Sequence, residues 1–325
     1  MCSSDLKPIK SKESYRWIQA IDDVEKLSEN KKDFIHIADR EGDIYELYNH
    51  CDMHNIKVLI RAKENRAINK TKRREKPKYK LYDHFDSLPR KSTVTIRFQI
   101  NKDVKYREAI LSIAYEAFTL PAPPNRTVNK DGSNLSNIKL WGVIVKEDNP
   151  PEGEEPINWL LVTNINVTTL DEALEKVQWY TKRWNVEILH KILKSGCAIE
   201  DAQLRDRERL IKYITMKTII AWRIFWLARK FATDEKASCK EILTDKEQTI
   251  LRKRFAATNA PNNSPLSAKK AITLIAKLGG YIGRKNDPPP GIISLWKGWT
   301  RLMNMIDDYD ILDRKSTRLN SSHQI

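Results

Sequence analysis

Cysteine is scarce and scattered: Cys2, Cys51, Cys197 and Cys239 are the four in 325 residues, and none forms a CxxC pair. That excludes a disulfide framework and points to a reducing compartment. Long apolar runs are also missing. The most apolar stretch, "YITMKTIIAWRIFWLA" at 213–228, contains Lys217 and Arg223, so it reads as a buried helix and not as a membrane span. No signal peptide is visible, which leaves a cytoplasmic protein with no membrane partner as the expectation. The glycine-containing "GGYIG" at 279–283 is followed by no GK[ST] and carries no dinucleotide fingerprint, so it is not a phosphate-binding loop. No nucleophile-elbow motif supports a serine or cysteine triad.

What is present is basic and globular. The chain is 40% hydrophobic and 31% charged, with 58 Lys and Arg against 43 Asp and Glu, a formal net charge of +15. That balance favours a polyanionic partner, with nucleic acid first among the candidates. The two ends, "MCSSDL" and "RKSTRLNSSHQI", match nothing around them in pattern. They are expected to be a foreign leader and tail, together with the linker residues up to 12 and from 313.

Between the ends the pattern shifts twice. Helical spacing in "RWIQAIDDVEKL" precedes a short apolar strand, "DFIHIAD" (33–39). A helix, "EGDIYELYNHCDMHN", and a second buried strand, "KVLIRAK" (57–63), follow. Strand–helix–strand order predicts parallel pairing in an α/β unit. Residues 64–158 read as a β-rich insertion, with "STVTIRFQI", "YREAILSIAYEAFTL" and "IKLWGVIVKE" as strands and "NWLLVTN" at its end. From Thr169 the signal is helical, opened by a Thr169–x–x–Glu172 capping box. The region 198–312 is a helical layer broken by "TNAPNNSP" and "GRKNDPPPG".

Several clusters could carry chemistry. Asp39 closes a buried strand, where open α/β sheets place ligands; it could equally cap the next helix. Asp43 reads as a helix N-terminal acid. His50, Cys51 and His54 stand together in "NHCDMH", but a zinc site needs partners that no other cluster supplies. The basic run Lys70, Lys72, Arg73, Arg74, Lys76 and Lys78 could track phosphates or be a solvated loop. Trp159 and Trp184 could stack on an unpaired base or belong to the core.

The stretch "YTKRWNVEILHKILKSG" (180–196) is the most unusual. At about 100° per residue, a continuous helix would gather Tyr180, Arg183, Glu187, Lys191 and Lys194 within an arc of about 80°. Leu189, Ile192 and Leu193 would face the other way. One acid would then stand within a row of groups suited to phosphates. Asp39 and Glu187 could together hold divalent metal for phosphoryl transfer, since Mg²⁺ prefers hard oxygen ligands. A solvated face on a packed helix is the plain alternative.

Tyr180–x2–Arg183–x3–Glu187–x6–Lys194 resembles the Y-R-E-K signature of bacterial insertion-sequence DDE transposases of the fourth family, in particular the transposon-five branch. "ADREGDIY", "LIRAK", "LYDH", "INWLLVTN" and "LGGY…PPPGIISLWKGW" are similar in order and spacing, so the resemblance spans roughly residues 12–312. It implies an α/β fold: an RNase H-like core (13–63 and 159–197) interrupted by the β-rich insertion (64–158), then an α-helical C-terminal dimerisation region (198–312).

The same resemblance implies a cut-and-paste transposase that uses two Mg²⁺ ions, with Mn²⁺ as a substitute. Its expected partners are transposon-end DNA, target DNA and a second copy of itself on DNA, in a bacterial nucleoid. Asp39 and Glu187 would be catalytic metal ligands; Arg61, Tyr180, Arg183, Lys191 and Lys194 would contact DNA, and Trp159 would receive a flipped base. The family's first catalytic Asp is expected well upstream of Asp39, where only 38 residues are present and Asp5 lies in the foreign leader. A truncated chain, inactive alone and lacking the N-terminal DNA-recognition domain, is the resulting expectation; a non-catalytic DNA-binding or dimerising inhibitor, or a pseudogene product, lacking the first catalytic Asp is the alternative.

Overall fold

The computed structural model describes residues 9–27, 34–69, 79–99, 106–123, 135–233, 237–255, 266–284 and 287–321. The basic run at 70–78 and Asp5 lie outside them. The chain divides into two compact units, Met1–Ile100 with Tyr106–Trp184 and Asn101–Lys105 with Asn185–Ile325.

The first unit is built on a six-stranded mixed sheet. In chain order its elements are α1 (Tyr15–Glu25), β1 (Ile35–Ala38), α2 (Tyr45–Met53), β2 (Lys57–Arg61), β3 (Ala67–Ile68), β4 (Tyr79–Lys80) and α3 (Leu81–Ser87). They continue with β5 (Ser92–Gln99), β6 (Tyr106–Leu120), β7 (Ile138–Glu147), β8 (Asn158–Thr163) and α4 (Leu170–Thr181). The sheet order is β1-β2-β8-β7-β6-β5, and β3 pairs with β4 separately. β1 and β2 are parallel, as the strand–helix–strand pattern requires, with Ile37 opposite Leu59. Every other pairing in the sheet is antiparallel.

Burial on both faces explains the composition of the central strands. In β2, Val58 and Ile60 join one apolar cluster with Leu47, Tyr48 and Cys51 of α2. Leu59, pointing the other way, joins a second cluster with Ala173, Val177 and Tyr180 of α4. A strand covered on both sides reads as a continuous apolar run and not as an alternation. The strands of the sequence-defined insertion are continuous with this sheet, because β8 pairs with β2 on one side and β7 on the other. Helix α3 was not anticipated within that β-rich segment; its Phe85 is fully buried. The fold is α/β.

The second unit holds α5 (Trp184–Lys191, whose first residue belongs to the first unit), α6 (Arg207–Thr233), α7 (Asp245–Phe255), α8 (Ala268–Leu278) and α9 (Ile292–Ser321). The Pro/Gly-rich residues 288–291 precede α9, as expected; the Asn/Pro-rich stretch at 258–265, also expected to break the helical layer, lies outside the described residues. Helix α8 buries Ala268, Ala271, Ile272, Ile275 and Ala276, and Ser267 caps it by accepting from the Lys270 N–H at 3.3 Å. Its contact with α9 depends on glycine: a Cβ at Gly298 would lie 1.8 Å from the Ile275 carbonyl oxygen, and one at Gly279 equally close to Ser294 O. Only glycine permits backbones this near.

Helix α6 corrects a sequence expectation. Ala221, Ile224, Phe225 and Leu227 are buried in the helical core, but Met216, Ile219 and Trp222 are more than half exposed. The stretch 213–228 is therefore buried on one side only.

Candidate active site

Asp39 follows directly on β1, at its C-terminal end. Its Oδ1 accepts from the Glu41 N–H at 3.0 Å, so it caps the short 3-10 turn Arg40–Gly42. The turn must pass close to the strand it has just left: a Cβ at Gly42 would sit 2.7 Å from Ala38 Cβ. That is the physical reason for glycine in "ADREGD". The other oxygen, Oδ2, lies 3.5 Å from Arg183 Nη1, and the Asp39 side chain is 38% exposed.

Arg183 arrives there through a break in the helix. Lys182 and Arg183 donate their N–H groups to Trp179 O and Tyr180 O, both at 3.0 Å. These i→i−3 bonds end α4 at Thr181, and α5 restarts at Trp184. The single helical stripe expected over 180–196 is thus corrected. The register is interrupted at 182–183, and a π-helical turn, Ile192–Gly196, follows α5. The apolar side behaves as expected, with Ile192 fully buried and Leu189 and Leu193 packed against the same core.

Tyr180 is buried and does not stand in an exposed row. Its ring meets that of Trp159 edge-on, with centroids 5.1 Å apart, a favourable quadrupole arrangement. Burial raises the phenol pKa, while Arg61 and Arg183 pull it back and Arg61 shares a hydrogen bond with it. Arg61, the last residue of β2, also donates from Nη2 to Asn158 O at 3.1 Å, and its buried Nε has no partner. Asp39, Arg61, Trp159, Tyr180 and Arg183 therefore form one cluster at the C-terminal end of β1 and β2: an acid, two guanidiniums and an aromatic pair.

The remaining expected residues are placed further along. Trp184 is partly buried at the start of α5. Glu187 lies in the first turn of α5, exposed, and Lys191 is its last residue. Lys194 sits in the π-helical turn and pairs with Glu200 at 2.7 Å, which raises its ammonium pKa. Among the described residues no three His, Cys, Asp or Glu side chains form a metal-holding group. In "NHCDMH", His50 is engaged with Asp22 at 2.7 Å, and Cys51 is buried, its thiol pushed up to about 12 by desolvation.

One residue was assigned too small a role. Asp43 precedes α2, but its 1%-exposed side chain does not cap that helix. Oδ2 accepts from the N–H groups of Lys63 (2.7 Å) and Glu64 (3.2 Å) and pairs with Arg66 at 2.7 Å. Oδ1 accepts from the Tyr48 hydroxyl at 3.0 Å. Asp43 thereby ties the segment immediately after Arg61 to the turn immediately after Asp39. Nothing local in the sequence announces partners twenty residues away.

A family model described as the transposase DDE domain matches residues 5–223. The chain belongs to that family. DNA is thus the substrate class of this transposase, its chemistry is DNA transposition, and the family uses divalent metal ions. No described helix is long and apolar enough to cross a membrane.

Proposed function

We propose that this transposase works by cut-and-paste as a member of the fourth insertion-sequence family, on an RNase H-like core, with Asp39 and Glu187 as its metal-binding acids. The observation that carries this reading is the Asp39–Arg183 pair beside Arg61. A half-exposed carboxylate at a strand end already attracts a cation at 3.5 Å, within a cluster otherwise suited to phosphate. The donor chemistry fits Mg²⁺, with Mn²⁺ as a substitute, because one or two carboxylates plus substrate phosphate oxygens are its usual ligands. When bound, the metal supplies a more acidic water and neutralises charge at the cleaved phosphodiester.

The protein's own residues do the rest. Arg61 and Arg183 hold phosphates by bidentate hydrogen bonds. Lys191 and Lys194 add point charges along the backbone, Lys194 after releasing Glu200. Trp159 leaves the Tyr180 edge to stack on an unpaired base from the transposon end, and Trp184 lies beside the same strand. The protein acts as a homodimer on transposon-end and target DNA.

The test compares Glu187→Ala and Asp39→Ala with wild type on duplexes taken from the DNA flanking the gene. Removing either acid should lower Mg²⁺-dependent nicking by at least about a hundredfold while leaving the gel shift in place. Nicking by Glu187→Ala at the wild-type rate would overturn the assignment.

A further inference from the structure

Helix α8 meets solvent with a face that works against its own stability. Its sequence, "AKKAITLIAKL", holds Lys269, Lys270 and Lys277 and no acid. Ala268, Ala271, Ile272, Ile275 and Ala276 are buried in the helical core, while Lys270 and Lys277 are exposed on the other side. Because Ser267 is the N-cap, Lys269 and Lys270 stand in the first turn, beside the positive end of the helix dipole. Stability favours an acid there and disfavours a cation. A local preference broken without a packing gain is where function is to be sought.

The lysines also share a hollow. Ser267, Lys269, Lys270, Thr273, Leu274 and Lys277 line an open cavity of about 500 Å³, and no carboxylate is among these lining residues. Residues 267, 270, 274 and 277 follow the i, i+3, i+7, i+10 spacing of a single helical face. Lys270 and Lys277 are about 10.5 Å apart along the axis, close to three nucleotide steps of a duplex at about 3.4 Å each. The platform is fixed at its N-terminal end, where the Cys239 N–H donates to Leu266 O at 3.0 Å and the Ala268 N–H to Ala237 O at 2.8 Å. Lys269 rests over the Phe231 ring, 5.8 Å from its centroid. The close glycine contacts with α9 hold the other end.

We infer that this face of α8 binds the phosphate backbone of duplex DNA irrespective of sequence. Lysine meets phosphate as a point charge. Arg, Asn and Gln, which read base edges bidentately, are not among the lining residues. Phosphate contacts position a duplex and carry no sequence information, which is what an insertion target of arbitrary sequence requires. A bound phosphate also relieves the repulsion in the first turn of α8. This surface presupposes the DNA-handling protein proposed above, but it shares no residue with the cluster around Asp39 and needs no metal. The nicking assay on Asp39→Ala and Glu187→Ala and the salt titration below therefore fail independently.

The experiment measures the affinity of the full chain for a short duplex of random sequence, without divalent metal, across salt concentration. The double variant Lys270→Ala, Lys277→Ala should flatten the slope of log affinity against log salt by about two, since each phosphate contact contributes roughly 0.9. The double variant Lys10→Ala, Lys297→Ala removes the same charge at exposed positions outside the cavity and should leave the slope as in wild type. Without DNA, Lys270→Ala should unfold at the wild-type midpoint or above it, because it removes a cation from the helix N-terminus. Benzoylphenylalanine in place of Thr273 should crosslink to the duplex on illumination. Equal slopes for the two double variants would overturn the inference. So would capture of poly-glutamate by wild type, lost in Lys270→Ala, Lys277→Ala while the DNA slope stays unchanged; that result would reassign the cavity to an acidic protein segment.

Discussion

Asp43 shows how a side chain can position a site without being one of its contact residues. It joins the turn after Asp39 to the segment after Arg61 through two backbone N–H groups, the Tyr48 hydroxyl and the Arg66 guanidinium. Replacing it by Asn keeps the shape but leaves Arg66, only 20% exposed, without its counter-charge. Breaking a buried pair by removing one partner is strongly destabilising, so Asp43→Asn should lower unfolding stability by about 3 kcal/mol. Urea denaturation followed by far-UV dichroism checks this; a loss below about 1 kcal/mol would mean the carboxylate is not holding the loop. In the sequence, Asp43 looks like any acid ahead of a helix. Its partners are fixed only when β2 returns alongside β1.

Elements differ in how openly they declare themselves. The strands were legible because β-branched and aromatic runs between Pro, Asn and Gly clusters have few other uses. The capping box of α4 was equally legible, and the Thr169 and Glu172 side chains do exchange hydrogen bonds with each other's backbone N–H groups. The break at Lys182–Arg183 was not, since neither residue is a helix breaker. What ends α4 there is a pair of i→i−3 hydrogen bonds, and periodicity extrapolated through them gave a stripe that the chain does not form. Helix α6 misled in the opposite direction: apolar residues all around a helix usually mean full burial, and here one side lies open. The α8–α9 contact was also invisible, because a glycine gives no sign of which backbone will approach it. Gly298→Val should push those helices apart and cost about 2–3 kcal/mol, read as a lower thermal midpoint. A Gly298→Val protein as stable as wild type would show that the helices separate freely.

For the whole molecule, alkaline pH is a probe of the buried acids. Desolvation raises Cys51 and Tyr45 to about 12 and Cys239 to about 11, and it raises Tyr180 as well. In the unfolded chain the thiols ionise near about 8.5 and the phenols near about 10. Below those values both states are protonated and stability is intact. Above them the unfolded chain loses protons first, so stability falls with rising pH until the folded groups also ionise at about 11 to 12. Denaturation midpoints measured from pH 8 upward should decline, most steeply above about pH 9. In Cys51→Ala, the part of that decline due to the thiol should disappear. A flat profile would mean these groups are not buried as described.

The proposal that matters most is that Asp39 and Glu187 serve one metal site. It can be tested without knowing the DNA ends, by replacing Mg²⁺ with Fe²⁺ and letting locally generated hydroxyl radicals cut the backbone beside the bound ion. Two cuts are expected, one next to Asp39 and one next to Glu187, both suppressed by excess Mg²⁺. Asp39→Asn or Glu187→Gln alone should abolish both together. Cuts at only one of the two positions, or two cuts that respond independently to the substitutions, would contradict it.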